Sequence, residues 1–188
     1  MPHLNPNGFL SYPVNYRNAA FYQKSVALYD LTYYYINRFL QPSDRTYGQM
    51  QQAARSGKQN IVEGLEDNMT SRDTGLHLVN VARSSLQELR EDYEDQLRTN
   101  HLTVWQKNHP RYSGLLTFCR QNNTTESYQP YFERWDIETL CNVALTLIHQ
   151  VDRSLMKLLQ QMEADFLANG GVREQMTAAR RQSRGRNY

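Results

Sequence analysis

Histidine and cysteine are the residues of this 188-residue chain best suited to binding a metal or attacking a substrate. A di-iron centre in a helical protein needs Glu-x-x-His pairs that converge from several helices, and that spacing does not occur here. Cys119 and Cys141 form no Cys-x-x-Cys pair and have no histidine cluster beside them, so we expect two reduced, packed thiols. The sequence therefore predicts no metal site and no cofactor.

Two other groups of residues have the types that catalysis uses. Ser154 and Lys157 have the Ser-x-x-Lys spacing of a serine nucleophile and its base, but the motifs that accompany it in enzymes are missing. Five acidic residues lie between positions 88 and 95, where charges on one helix face are normally solvated. No phosphate-binding glycine loop occurs either. We therefore predict that the chain is not an enzyme and has no small-molecule substrate.

Basic residues are concentrated near the end of the sequence. Residues 1–171 carry 16 Lys and Arg against 18 Asp and Glu, a balance of −2, whereas residues 172–188 carry five Arg against Glu174, a balance of +4. Arginine suits phosphate because its planar fork donates two parallel hydrogen bonds. The candidate nucleic-acid-binding residues are Arg173, Arg180, Arg181, Arg184 and Arg186, with Arg55 and Lys58 as weaker candidates. The alternative is that this segment is only a solvated end.

Four long amphipathic segments must position these residues. In none of these segments do apolar and polar residues alternate with the two-residue period of a strand. The sequence predicts an all-α fold, an antiparallel four-helix bundle, with helices at about 18–40, 44–66, 71–98 and 137–168. The predicted caps are Asn18 for the first helix, Ser43 or Asp44 for the second, Thr70 with Asp73 for the third, and Asp136 for the fourth.

The first two predicted helices have unusual faces. The first carries two adjacent apolar seams, one running from Phe21 to Phe39 and the other from Tyr22 to Leu40, and the second seam could serve as an assembly face. The second helix has small inward residues, including Gly57 and Gly64, which indicate a close approach to another helix.

A long connection separates the third and fourth helices. Residues 99–135 contain both tryptophans and the apolar residues of a short helix, so we expect a packed, partly helical insertion. We divide the chain into a bundle over residues 1–171 and a basic tail over residues 172–188. No apolar run is long enough to span a membrane and the start has no signal-peptide pattern, so the expected location is cytoplasmic.

The second predicted helix reads YGQMQQAARSGKQNIVEG, with Asn-Ile-Val-Glu-Gly at 60–64, and Leu-Gln-Glu-Leu follows at 86–89. This pattern resembles bacterial four-helix-bundle proteins described as encoded by intervening sequences in 23S ribosomal RNA genes. The segments EDYEDQLR, YQPYFE at 128–133 and FLANGGVREQM resemble the subgroup called four-helix-bundle suffix proteins. The resemblance covers about residues 18–175 and transfers no catalytic residue.

The same superfamily includes the accessory variability protein of diversity-generating retroelements, a homopentamer that binds its reverse transcriptase and nucleic acid. The resemblance therefore implies a homo-oligomer, a pentamer by analogy. Asn60, Glu63 and Gly64 are the positions that match the family motif. We favour hydrogen bonds from Asn60 and Glu63 across a helix or subunit junction, with recognition of a partner as the alternative.

Two functions are consistent with these patterns. The first is a non-catalytic oligomeric scaffold or adaptor that contacts nucleic acid or a nucleic-acid-processing enzyme. The second is a protein–protein interaction module without a nucleic-acid role, whose partner binds the 99–135 insertion or the tyrosine-rich first helix. Thirteen tyrosines make the second function plausible, because tyrosine is enriched at interfaces.

Overall fold

The computed structural model describes residues 15–171 together with Glu174, Met176, Thr177, Arg180 and Arg181. Within these residues the chain is helical and contains no strand, so the all-α prediction is confirmed. The same residues include no helix with the length and apolar content needed to cross a membrane. The elements in chain order are a 3-10 turn at Tyr16–Asn18, α1 (Ala20–Phe39), α2 (Arg45–Asp67), α3 (Arg72–Thr99), α4 (Tyr112–Gln121), α5 (Thr125–Tyr128), a 3-10 turn at Gln129–Tyr131, and α6 (Ile137–Asn169).

Two of the predicted helix caps are wrong. Asn18 lies in the first 3-10 turn, and α1 begins without a side-chain cap. Thr70 does not cap α3, because its N–H and hydroxyl both bond to the carbonyl of Asp67 in the turn that ends α2. Ser71 caps α3 instead, and its hydroxyl accepts a hydrogen bond from the N–H of Thr74.

The caps predicted for the other two long helices are present. Asp44 accepts a hydrogen bond from the N–H of Thr46 at 2.9 Å at the start of α2. Asp136 accepts one from the N–H of Thr139 at 2.8 Å at the start of α6. Each carboxylate thereby satisfies a backbone donor that has no partner inside its helix.

The four long helices pack in neighbouring pairs, with α2 and α6 each in contact with both α1 and α3. The ion pair between Arg83 and Asp152, at 2.7 Å, joins α3 to α6. Two bonds also link α1 with α3 across the core: the Tyr93 hydroxyl donates to Thr32 Oγ1 at 3.0 Å, and the Tyr35 hydroxyl donates to Gln96 Oε1 at 3.1 Å.

The buried apolar residues of α1, α2, α3 and α6 form the core. The apolar residues that recur every three or four positions from Val79 to Leu97 in α3 are buried, and so are those from Leu140 to Leu155 in α6. A Cβ atom added to Gly64 would lie 2.8 Å from Val79 Cγ2, and one added to Gly57 would lie 3.0 Å from Leu86 Cδ2. The close approach expected at these two glycines is therefore present, and it joins α2 to α3.

The second seam predicted on α1 does not form a continuous free face. Ile36 is fully buried, and the ring of Tyr22 packs on Tyr16 with 5.1 Å between centroids. Tyr33, which is 50% exposed, is the clearest exposed member of this seam. The chain's own residues therefore cover much of the surface that the sequence assigned to assembly.

The insertion between α3 and α6 is packed against the rest of the chain. The side chain of Asn142 on α6 is buried and accepts the N–H of Trp105 at 2.7 Å while donating to the carbonyl of Thr103 at 2.9 Å. Farther along, Arg38 of α1 donates to the carbonyl of Phe132 at 2.9 Å. These bonds hold the first residues of the insertion against α6 and its last residues against the end of α1.

Candidate functional site

A cleft of about 1040 Å³ opens where three parts of the chain meet. Its walls are the start of α1, the residues from Val104 to Asn123 of the insertion, and the middle of α6, and Glu94 of α3 also lines it. We call it the insertion cleft. It is larger than two other cavities on the described part of the chain, of about 590 and 410 Å³, and both polar and apolar side chains line it.

A buried lysine lies in the wall of the insertion cleft. Lys24, on the second turn of α1, is only 7% exposed. Its ammonium group donates hydrogen bonds to the carbonyl oxygen of Cys119 on α4 and to Oε1 of Gln150 on α6. No carboxylate in the described part of the chain forms an ion pair with it.

The surroundings of Lys24 destabilise its charged form. Burial lowers the pKa of its ammonium group; the neighbouring Cys119 acts in the opposite direction, and the nearby guanidinium of Arg120 lowers the pKa further. An ammonium group has three N–H donors, and neutral oxygens accept two of them. The remaining donor and the uncompensated positive charge are available to an anion.

The rest of the cleft is also electropositive. Lys107 and Arg120 from the insertion and Arg153 from α6 line it with exposed side chains, whereas Glu94 supplies the single carboxylate among its lining residues. The amide nitrogen of Gln150 is buried and has no hydrogen-bond partner among the described residues. The cleft therefore presents an excess of positive charge together with an unused neutral donor.

The residues predicted to bind nucleic acid lie elsewhere. Arg180 and Arg181 are exposed and helical in conformation, and Arg55 is exposed on α2. Lys58 lies with its ammonium group 4.4 Å from the centroid of the Tyr29 ring, so it also contributes to packing between α2 and α1. Three further candidates lie outside the described residues: Arg173, Arg184 and Arg186. None of the described candidates lines the insertion cleft.

The polar residues of the family-like motif bond within their own helix. Asn60 Nδ2 donates to the carbonyl of Ser56 at 3.0 Å, and Glu63 accepts from Gln59 Nε2 at 3.2 Å. The predicted bonds to another helix of this chain are therefore wrong, because both side chains find a partner one turn earlier on α2. Contact with another subunit or with a partner stays a prediction.

The residues considered for catalysis do not converge. No group of three His, Cys, Asp or Glu in the described part of the chain is arranged to hold a metal ion. Ser154 donates to the carbonyl of Gln150 in its own helix at 2.9 Å. Both thiols are buried, and burial raises the pKa of Cys119 and of Cys141 to about 12, which leaves them protonated and unreactive.

Lys24 is the site residue that our reading of the sequence missed. It stands three and four residues before Ala27 and Leu28, and seven before Leu31, all of which are buried. A lysine at that spacing falls on the inward face of α1. The burial of Lys24 could therefore have been predicted from the helical period. What sequence cannot show is which groups α4 and α6 bring to the ammonium.

Comparison with known proteins adds no assignment, because no protein-family model, curated protein or solved structure matches this chain. The family resemblance of the second helix therefore stays a prediction. Function has to be inferred from the geometry of the chain's own side chains.

Proposed function

We propose that the chain is an antiparallel four-helix bundle with an insertion, related to the intervening-sequence family, and that it works in the cytoplasm without catalysis. In this proposal it is an oligomeric scaffold, a pentamer by analogy, that contacts nucleic acid or a nucleic-acid-processing enzyme. The basic residues that follow α6 make the contact with phosphate.

The observation that carries the proposal is the pair of exposed apolar side chains on the second half of α6. Met156 is 44% exposed and Leu167 is 77% exposed, and their spacing of eleven residues places them on one face of the helix. Contact with a partner would remove both apolar side chains from water. Arg180 and Arg181 follow shortly afterwards, also exposed. In this proposal a sister subunit covers Met156 and Leu167, and the basic segment that follows contacts phosphate.

The experiment is a salt titration of binding to single-stranded RNA and DNA by fluorescence anisotropy, with light scattering on the same samples. We expect salt-dependent binding, and we expect the double variant Arg180→Ala/Arg181→Ala to reduce the salt slope by as much as about two units. Arg134→Ala, an exposed arginine in the insertion, serves as the matched control and should bind like the parent protein.

Two results would remove this function. Binding that does not depend on salt, or that the double variant leaves unchanged, contradicts the role of the basic segment. A monomer in light scattering at all concentrations contradicts the scaffold.

A protein-interaction module without a nucleic-acid role remains the second candidate. Tyr33 of α1 and Tyr131 of the insertion are both exposed, at 50% and 38%. Tyr33 lines a cavity of about 410 Å³ between α1 and the insertion, with Asp30 and Phe132. Exposed aromatic side chains beside polar groups are typical of interface centres. Oligomerisation without nucleic-acid binding would favour this candidate.

A further inference from the structure

We propose that the insertion cleft binds a small organic phosphate, whose phosphate group pairs with Lys24 and Arg120. This site is separate from the scaffold function above, because it uses a different surface of the molecule. It depends on side chains from α1, α4 and α6 and would exist in a single copy of the chain.

The first support is the unpaired charge of Lys24. Buried ammonium groups normally have an anionic partner, because transfer of an isolated charge out of water is unfavourable. Instead of an anionic partner, Lys24 has two neutral hydrogen-bond acceptors. The positive charge of Arg120 repels the Lys24 ammonium group and so lowers the pKa of Lys24. A bound anion would reverse this imbalance, because it would attract both groups in a partly desolvated site.

The second support is the number of charges around the cleft. Lys24, Lys107, Arg120 and Arg153 face a single carboxylate, that of Glu94. A phosphate monoester is largely a dianion near neutral pH, whereas a carboxylate carries one negative charge. The dianion therefore balances the excess of positive charge better, and the guanidinium of Arg120 can donate two parallel bonds to it.

The third support is the remainder of the lining. Phe21, Tyr112 and Leu116 give the cleft apolar surface, and its volume of about 1040 Å³ is far larger than inorganic phosphate requires. The buried amide nitrogen of Gln150, which has no partner among the described residues, can donate to an oxygen of the ligand. The cleft thus fits a phosphate carried on an apolar or planar body.

The test is isothermal titration calorimetry of the full chain with adenosine monophosphate, adenosine and inorganic phosphate as separate probes. We expect saturable binding of adenosine monophosphate, and binding of the other two that is weaker by roughly tenfold or more, because each lacks one half of the proposed ligand. Lys24→Met should weaken binding of adenosine monophosphate by roughly tenfold or more, since it removes a charge-assisted bond. Lys157→Met is the matched control, because Lys157 is exposed on α6 and does not line the cleft.

Two further variants separate binding from folding and from the scaffold function. Arg120→Ala changes an exposed side chain, so it should fold normally and still weaken binding several-fold. The double variant Arg180→Ala/Arg181→Ala should bind adenosine monophosphate as tightly as the parent protein does, even if its affinity for nucleic acid is reduced. The proposal is overturned if no probe binds saturably, or if Lys24→Met and Arg120→Ala both bind like the parent.

Discussion

Burial changes the chemistry of single side chains that sequence alone would treat as ordinary. Burial lowers the pKa of the Lys24 ammonium group. Burial raises the pKa of Asp92 to about 6, and the charges of Asp95 and Glu88 contribute in the same direction. The acidic cluster on α3 was predicted to be solvated; Asp92 within it is partly buried, because α2 packs beside it. Such shifts cannot be predicted from one helix, because the neighbours that cause them come from others.

Asp92 predicts a dependence of stability on pH. Its carboxyl group faces Glu88 and Asp95 on its own helix and Arg45 across the cavity between α2 and α3. Because its pKa is about 6 in the folded protein and 3.8 is the ordinary value, the folded protein keeps a proton that the unfolded chain releases. Its contribution to stability is therefore fully present below pH 3.8 and is lost as the pH rises through about 6.

We expect Asp92→Asn to raise the free energy of unfolding at neutral pH by about 1 kcal/mol, allowing for solvent screening, and to have little effect in acid. Urea unfolding of both proteins at several pH values measures the difference. Glu163→Gln, an exposed change on α6, should show no such trend. A difference between Asp92→Asn and the parent that stays constant with pH would contradict the assigned cause.

At the scale of elements, the contact between α2 and α3 depends on missing side chains. Gly64 lies against Val79 and Gly75, and a Cβ atom there would be 3.0 Å from the backbone nitrogen of Val79. A backbone atom cannot move aside as a flexible side chain can, so the helices would have to separate. Gly48, on the same helix, has no atom within 4 Å of its added Cβ.

We therefore expect opposite results from the same substitution at two positions of α2. Gly64→Ala should lower the free energy of unfolding by about 1–3 kcal/mol through overpacking. Gly48→Ala should raise it by about 0.5–1 kcal/mol, because alanine favours the helix and nothing obstructs it. Urea unfolding measures both variants. If Gly64→Ala were as stable as Gly48→Ala, the close approach of α2 and α3 would not be as described.

The helical stripes could be predicted from sequence because apolar residues recur every three or four positions in α3 and α6. The small residues of α2 likewise indicated a close contact, although they could not identify α3 as its partner. The cap of α3 could not be chosen, since Thr70 and Ser71 are adjacent and both suit the role. Only the turn that ends α2 decides between them, because it already uses the hydroxyl of Thr70.

At the scale of the whole molecule, the insertion is bonded to the rest of the chain on two sides. Asn142 binds its first residues to α6, and Lys24 binds the end of α4 to α1. The length of the segment indicated an insertion, and its tryptophans indicated packing. The cleft that it forms with α1 and α6 could not be predicted. Its walls come from segments that are far apart in the sequence, and only the fold brings them together.

We expect the insertion and the long helices to unfold as one unit. Cys119 on α4 and Cys141 on α6 are both fully buried, so each thiol reacts only after opening. In the single-thiol variants Cys119→Ala and Cys141→Ala, labelling by a disulfide reagent should give the same opening free energy. The variant Ser113→Cys places a thiol at an exposed position of α4 and gives the labelling rate of an unprotected thiol for comparison. Faster labelling of Cys119 than of Cys141 would show that the insertion opens separately.

The two tyrosine bonds between α1 and α3 restrict how these helices can move past each other. If α1 slid by one turn, Tyr93 would lose Thr32 and Tyr35 would lose Gln96, so both phenols would be left without their acceptors in the interior. Each such loss costs about 1–3 kcal/mol, and no neighbouring turn of α1 repeats the pattern of Thr32 and Tyr35. A piston-like movement of α1 along α3 is therefore unfavourable, and the two helices keep one register.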